Sequence, residues 1–192
     1  MATSPALTAP APAVHTARAL RTLYFVRTAF SAVWVALVFT FVKTSPLVTG
    51  ALLLLYPAWD VLATIGDIRA NRGTGTSLAP QYVNIGVGAL TTLAVALALR
   101  RGVPQVLVVF GVWAVLTGLI QLLLGLRRRH LNGQWPMMLS GAQSMLAGVL
   151  FVVQAHDPAK GLADVAGYSA VGAVYFLLAA LRLRKPAQQP TV

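Results

Sequence analysis

Six apolar runs, at positions 24–42, 46–65, 82–99, 103–126, 137–153 and 162–181, leave this chain little scope to fold in water. A hydrocarbon core roughly 30 Å thick is crossed by about 20 helical residues. Inside lipid a backbone N–H or C=O finds no water to bond, so a run that crosses must supply its own hydrogen bonds as a helix. The expected fold class is an all-α membrane protein with six transmembrane helices. The run at 137–153 is the shortest, and Gln143 and Ser144 interrupt it, but omitting it would leave an odd number of spans. The six runs occupy a domain at 18–185. Residues 1–17, rich in Ala, Pro and Thr, are expected to form a disordered arm, and 186–192 a loose tail.

A formal net charge of +11 would suggest nucleic acid in a soluble protein. Here the basic residues sit in the links and at the helix ends, where they orient the chain, and nucleic acid is not an expected partner. With the amino terminus inside, that side carries Arg18, Arg21, Arg27, Arg69, Arg72, Arg127, Arg128, Arg129, Arg182, Arg184 and Lys185. The other side carries only Lys43, Arg100, Arg101 and Lys160. This asymmetry predicts both termini in the cytoplasm, with the lipid bilayer as the principal partner.

The spans form three pairs joined by short outer links, and the pairs can be superposed. "YPAW" at Tyr56–Trp59 falls over "FGVW" at Phe110–Trp113 and, more weakly, over "YSAV" at Tyr168–Val171. The pattern predicts one helical hairpin used three times. Gly111, Gly118 and Gly125 recur at seven-residue intervals on the fourth span, as do Gly141 and Gly148 on the fifth. Such stripes let a neighbouring backbone approach closely. They are expected to pack helices within the chain, and they leave open a homo-oligomer or another membrane-protein partner.

Asp60 stands in an otherwise apolar run, about five residues from the predicted inner end of the second span, hence roughly 8 Å deep. Asp67 follows on nearly the same helix face, and Arg27 occupies a similar depth on the antiparallel first span. An Arg27–Asp60 or Arg27–Asp67 ion pair is expected, because an unpaired carboxylate in hydrocarbon is costly. Asn84, Gln121 and Gln143 complete the candidate intramembrane polar cluster. On the outer side, His156, Asp157, Lys160 and Asp164 form the most polar link. The chain has no cysteine and no glutamate, no histidine within a span, and no HExxH or GxSxG motif. No catalytic, cofactor-binding or metal residues are expected, and the chain reads as a non-enzyme.

The segments "YPAWDVLATIGDIR" (56–69), "VFGVWAVLTGLIQL" (109–122) and "MLSGAQSMLAGVLF" (138–151), set in three hairpins, resemble the HdeD-like family of small bacterial inner-membrane proteins, in its YPAWD-containing branch. The resemblance extends from Arg18 to Leu183. It implies a multi-pass inner-membrane repeat protein of undetermined mechanism, with acid resistance attributed to the namesake, and it carries no ligand residues over. Two other readings stay open: a proton-coupled or small-solute transporter using Asp60 and Arg27, and a membrane scaffold that binds a partner through its glycine stripes.

Overall fold

A computed structural model of the chain describes residues 11–72, 77–129 and 134–183, with side chains from Arg18 onward. Six helices account for nearly all of these residues: α1 (Ala11–Phe41), α2 (Pro46–Asn71), α3 (Ala79–Ala98), α4 (Val103–Arg127), α5 (Trp135–Val153) and α6 (Leu162–Arg182). All six are long and apolar enough to cross a membrane. Proline opens α2, α3, α4 and α5 within the first two positions, where the missing N–H has no helical partner to lose. Ser45 caps α2 by accepting from the Val48 amide. Gly102, at φ 107°, supplies the left-handed residue that turns the chain from α3 into α4.

Each helix packs on the next in sequence, and α6 returns to α1, so the six close into a ring. Contacts between successive hairpins, α2 with α3, α4 with α5 and α6 with α1, are more extensive than those within each hairpin. The ends of α1 and α6 that lead to the chain termini share one face, called here the terminal face. Leucines and valines such as Leu47, Leu62, Leu90, Leu146 and Val153 stand exposed around the outside, the surface that a bilayer would cover.

The glycine stripes meet one another. A Cβ placed on Gly118 would lie 2.7 Å from the Gly141 carbonyl oxygen, and one on Gly141 would lie 2.6 Å from that of Gly118. Gly111 faces the Gly148 carbonyl oxygen at 2.6 Å, Gly148 faces that of Gly111 in return, and Gly125 packs on Met138. Within the chain, α4 and α5 thus occupy each other's stripe, as expected of packing between neighbouring helices. Between α1 and α2, the indole N–H of Trp34 donates to the Leu52 carbonyl at 2.7 Å. This contact lies near Pro57, where the helical hydrogen-bond pattern of α2 is interrupted.

Three boundaries differ from the sequence expectation. Helix α1 begins at Ala11, inside the expected disordered arm, of which 1–10 lie outside the described residues, as does the tail at 186–192. Helix α2 runs to Asn71 rather than stopping at 65, and α3 starts at Ala79 rather than 82. In these extensions Gln81 of α3 and Arg128 bond to Asp67 of α2, which lets helical backbone continue past the apolar run.

Alanine at Gly118 or Gly141 is expected to lower thermal stability in detergent by about 1–3 kcal/mol, the usual cost of overpacking. Alanine at Gly86 or Gly167, where a Cβ would meet nothing within 4 Å, should leave the melting midpoint unchanged or raise it.

Candidate functional site

Because α2 continues to Asn71, Asp60 lies eleven residues, or roughly 16 Å, from its end. The carboxylate is near mid-span, twice as deep as the apolar run alone implied. Arg27 meets it from α1, with Nη1 2.7 Å from Oδ1, and both side chains are 16% exposed. Asn84 on α3 donates from Nδ2 to the other carboxylate oxygen, Oδ2, at 2.8 Å, and to Thr64 Oγ1 at 2.8 Å. Both oxygens of Asp60 are thus bonded, one by a charge and one by an amide. The Arg27 guanidinium also lies over the Phe176 ring of α6, 5.3 Å from its centroid.

Asp67 is buried one level nearer the terminal face, and it pairs with Arg128 rather than Arg27, Nη2 to Oδ2 at 2.7 Å. Gln81 donates to the same oxygen at 3.1 Å, and Asn71 donates to Oδ1 at 3.2 Å. Arg128 lies just past the end of α4. Burial works against its charge, but the adjacent Asp67 outweighs burial and holds its pKa above the ordinary arginine value. Nearby, the Tyr24 hydroxyl donates to Gln134 Oε1 at 3.4 Å, joining α1 to the residue before α5.

Two small cavities adjoin these pairs, each of about 70 Å³. The first reaches from Arg128, Gly125 and Met137, at the terminal-face end, past Asp67, Gln81 and Asn84. The second continues inward among Ser31, Tyr56, Trp113, Ser140, Ser144 and Tyr168. They share Arg27, Asp60, Thr117, Gln121 and Phe176, so the Arg27–Asp60 pair forms the waist between them. Beyond the second cavity, toward the opposite face, the interior is filled by an apolar cluster that includes Trp34, Leu53, Val95, Leu107, Phe110 and Val165.

Of the six polar residues expected to cluster, Arg27, Asp60, Asp67, Asn84 and Gln121 come together. Gln121 donates to the Met137 carbonyl at 3.3 Å, linking α4 to α5. Gln143 does not join them. It lines a separate cavity with Gln154, Lys160 and Asp164 toward the opposite face, because its position on α5 turns it away from the central side chains. In the outer polar link Lys160 lies 3.9 Å from Asp164, a weak solvent-screened contact, and Asp164 accepts from the Gly161 amide at 2.7 Å at the start of α6. Arg128, Gln81, Thr64 and Tyr168 belong to the site but were not singled out for it by sequence. For Gln81 the available signal was its spacing of one helical turn from Asn84.

Residues 85–153, from within α3 to the end of α5, match the family model described as a short repeat of unknown function (DUF308). Comparison with curated proteins and with solved structures finds no match. The matched stretch contains the α4–α5 glycine contact but neither Arg27 nor Asp60.

Removing one partner of a buried ion pair leaves the other charge uncompensated, at a cost of about 3–5 kcal/mol. Arg27→Gln and Asp60→Asn are each expected to lower thermal stability in detergent on that scale. The double variant should be less destabilised than the sum of the two, and strict additivity would show that the charges are not coupled.

Proposed function

We propose that this chain is a non-enzymatic, multi-pass protein of the HdeD-like type. In this reading it resides in a bacterial inner membrane with both termini in the cytoplasm, and it acts in resistance to acid or envelope stress. The observation that carries the reading is Asp60, held at mid-span by Arg27 and Asn84 between two polar cavities. A proton arriving at Asp60 would cancel its half of the pair and leave Arg27 without its counter-charge, which in a membrane interior forces a rearrangement or hydration. The lock thus couples local proton supply to the packing of α1, α2 and α3. The repeat match over 85–153 supports the family assignment, and the basic residues gathered at the terminal face support the orientation.

Proton-coupled or small-solute transport is the second reading, favoured by the continuity of the two cavities through Asp60. Their size restricts it. A cavity of about 150 Å³ holds benzene, so chambers of about 70 Å³ accommodate water or a solute of only a few heavy atoms.

A deletion strain complemented with wild type is expected to survive acid shock, and one complemented with Asp60→Asn at matched membrane abundance is expected not to. Equal rescue by both would remove Asp60 from the mechanism, and the absence of any deletion defect would remove the acid-stress role. Reporter fusions at either end should report the cytoplasmic side.

A further inference from the structure

Of the residues that line the two cavities, Gln81 and Trp113 each carry a buried polar atom with no protein partner among the described residues. Gln81, 2% exposed, lines the first cavity and leaves its Oε1 acceptor unbonded. Trp113, 6% exposed, lines the second and leaves its Nε1 donor unbonded. An unbonded buried donor or acceptor loses its hydration without compensation, and nearly all such groups in folded proteins bond to protein or to ordered water. An unsatisfied acceptor on one side of the waist and an unsatisfied donor on the other call for a ligand that both donates and accepts. Each chamber has room for a few waters, since one needs only about 10–15 Å³.

The lining suits the same occupant. The chambers contain one Arg–Asp pair at the waist and one at the terminal-face end, so their formal charges cancel and favour no ion of either sign. The titratable groups around Asp60 are Arg27 and Tyr24 on α1, Tyr56 and Asp67 on α2, Tyr168 on α6, and Arg128 after α4. Helices α3 and α5 present only amides and hydroxyls: Gln81 and Asn84, Ser140 and Ser144. Tyr168 donates to Ser144 Oγ at 2.7 Å, leaving the Ser144 proton to donate onward. Toward the opposite face the apolar cluster intervenes, and Tyr168 alone lines both the second cavity and the one at Gln143, Gln154, Lys160 and Asp164, so its ring stands between them.

We propose that the two cavities form one hydrated half-channel, which admits water and protons from the terminal face to Asp60 and on to Trp113, and is closed to the opposite face. This inference rests on the reading of Asp60 as the acting centre and adds which molecules reach it and from which side.

The chain contains no cysteine, so an introduced cysteine is the sole thiol for silver ion to block and for maleimide to label, and silver is small enough to follow water. Single variants Thr117→Cys and Ser144→Cys would report the corridor, and Leu53→Cys the apolar cluster. Ser77→Cys and Asp157→Cys would serve as exposed controls on the terminal and opposite faces. With the full-length protein in oriented vesicles, silver applied to the terminal face should block later maleimide labelling of Thr117→Cys and Ser144→Cys, as it does for Ser77→Cys. Silver applied to the opposite face should block only Asp157→Cys, and Leu53→Cys should stay unmodified from both. The proposal is overturned if both corridor thiols stay unmodified while Ser77→Cys is blocked, or if they react from the opposite face. Labelling is read without a stress phenotype, so the half-channel and the acid-stress role can fail separately.

Discussion

A carboxylate at the middle of a membrane span must be answered by another group of the same protein, and α2 carries two carboxylates on one face. Asp60 draws Arg27 from α1 and Asn84 from α3; Asp67 draws Gln81 from α3 and Arg128 from beyond α4. These demands fix which helices can neighbour α2. Apolar packing alone would be far less selective, since lipid tails are as good a solvent for leucine as another helix is. Satisfying both oxygens of Asp60 with different helices makes α1, α2 and α3 one mechanical unit around a single titratable side chain.

A different force closes the rest of the ring. Helices α4 and α5 meet backbone to backbone through reciprocal glycines, where close van der Waals contact replaces the missing hydrophobic driving force. The family match covers this helix pair and Arg128, but neither Arg27 nor the two aspartates of α2. The molecule thus combines a small-residue scaffold with a charged centre built largely on α1, α2 and α3. Its interior is also divided along the membrane normal. The half toward the terminal face holds the two cavities that join at Arg27–Asp60, and the half toward the opposite face holds an apolar cluster with Trp34, Leu53 and Phe110 beside the separate cavity at Gln143 and Asp164. A hydrated path that stops part-way preserves a barrier to ions while exposing Asp60 to one compartment, which suits a sensor or a gated step better than an open pore.

That Arg27 would meet a carboxylate of α2 was legible in the sequence, because few residues at comparable depth on an adjacent antiparallel helix can neutralise a buried aspartate; which of Asp60 and Asp67 it meets was not. Nor was the depth of the pair. Hydropathy falls at Asp67 and Arg69, which makes the second span look finished at residue 65, whereas the helix continues with Asp67 satisfied by Arg128 and Gln81. The partner of Asp67 was hidden for a related reason: in the run Arg127, Arg128 and Arg129, composition treats all three as orientation signals, and only the rotation at the end of α4 turns Arg128 inward. Gln143 shows the converse, a polar residue at a suitable depth facing the wrong way.

The sequence by itself determined the six spans, the placement of basic residues toward one face, the glycine stripes and the need for a counter-charge to Asp60. All of these follow from one-dimensional quantities: run length, charge position, seven-residue spacing and the cost of burying a charge. Tertiary structure decided which stripe meets which, that α6 closes on α1, that Arg128 answers Asp67, and that the cavities join at Arg27–Asp60 and end at an apolar cluster. Those outcomes depend on helix rotation, where a step of about 100° per residue moves a side chain from lipid to core without changing the composition of the run.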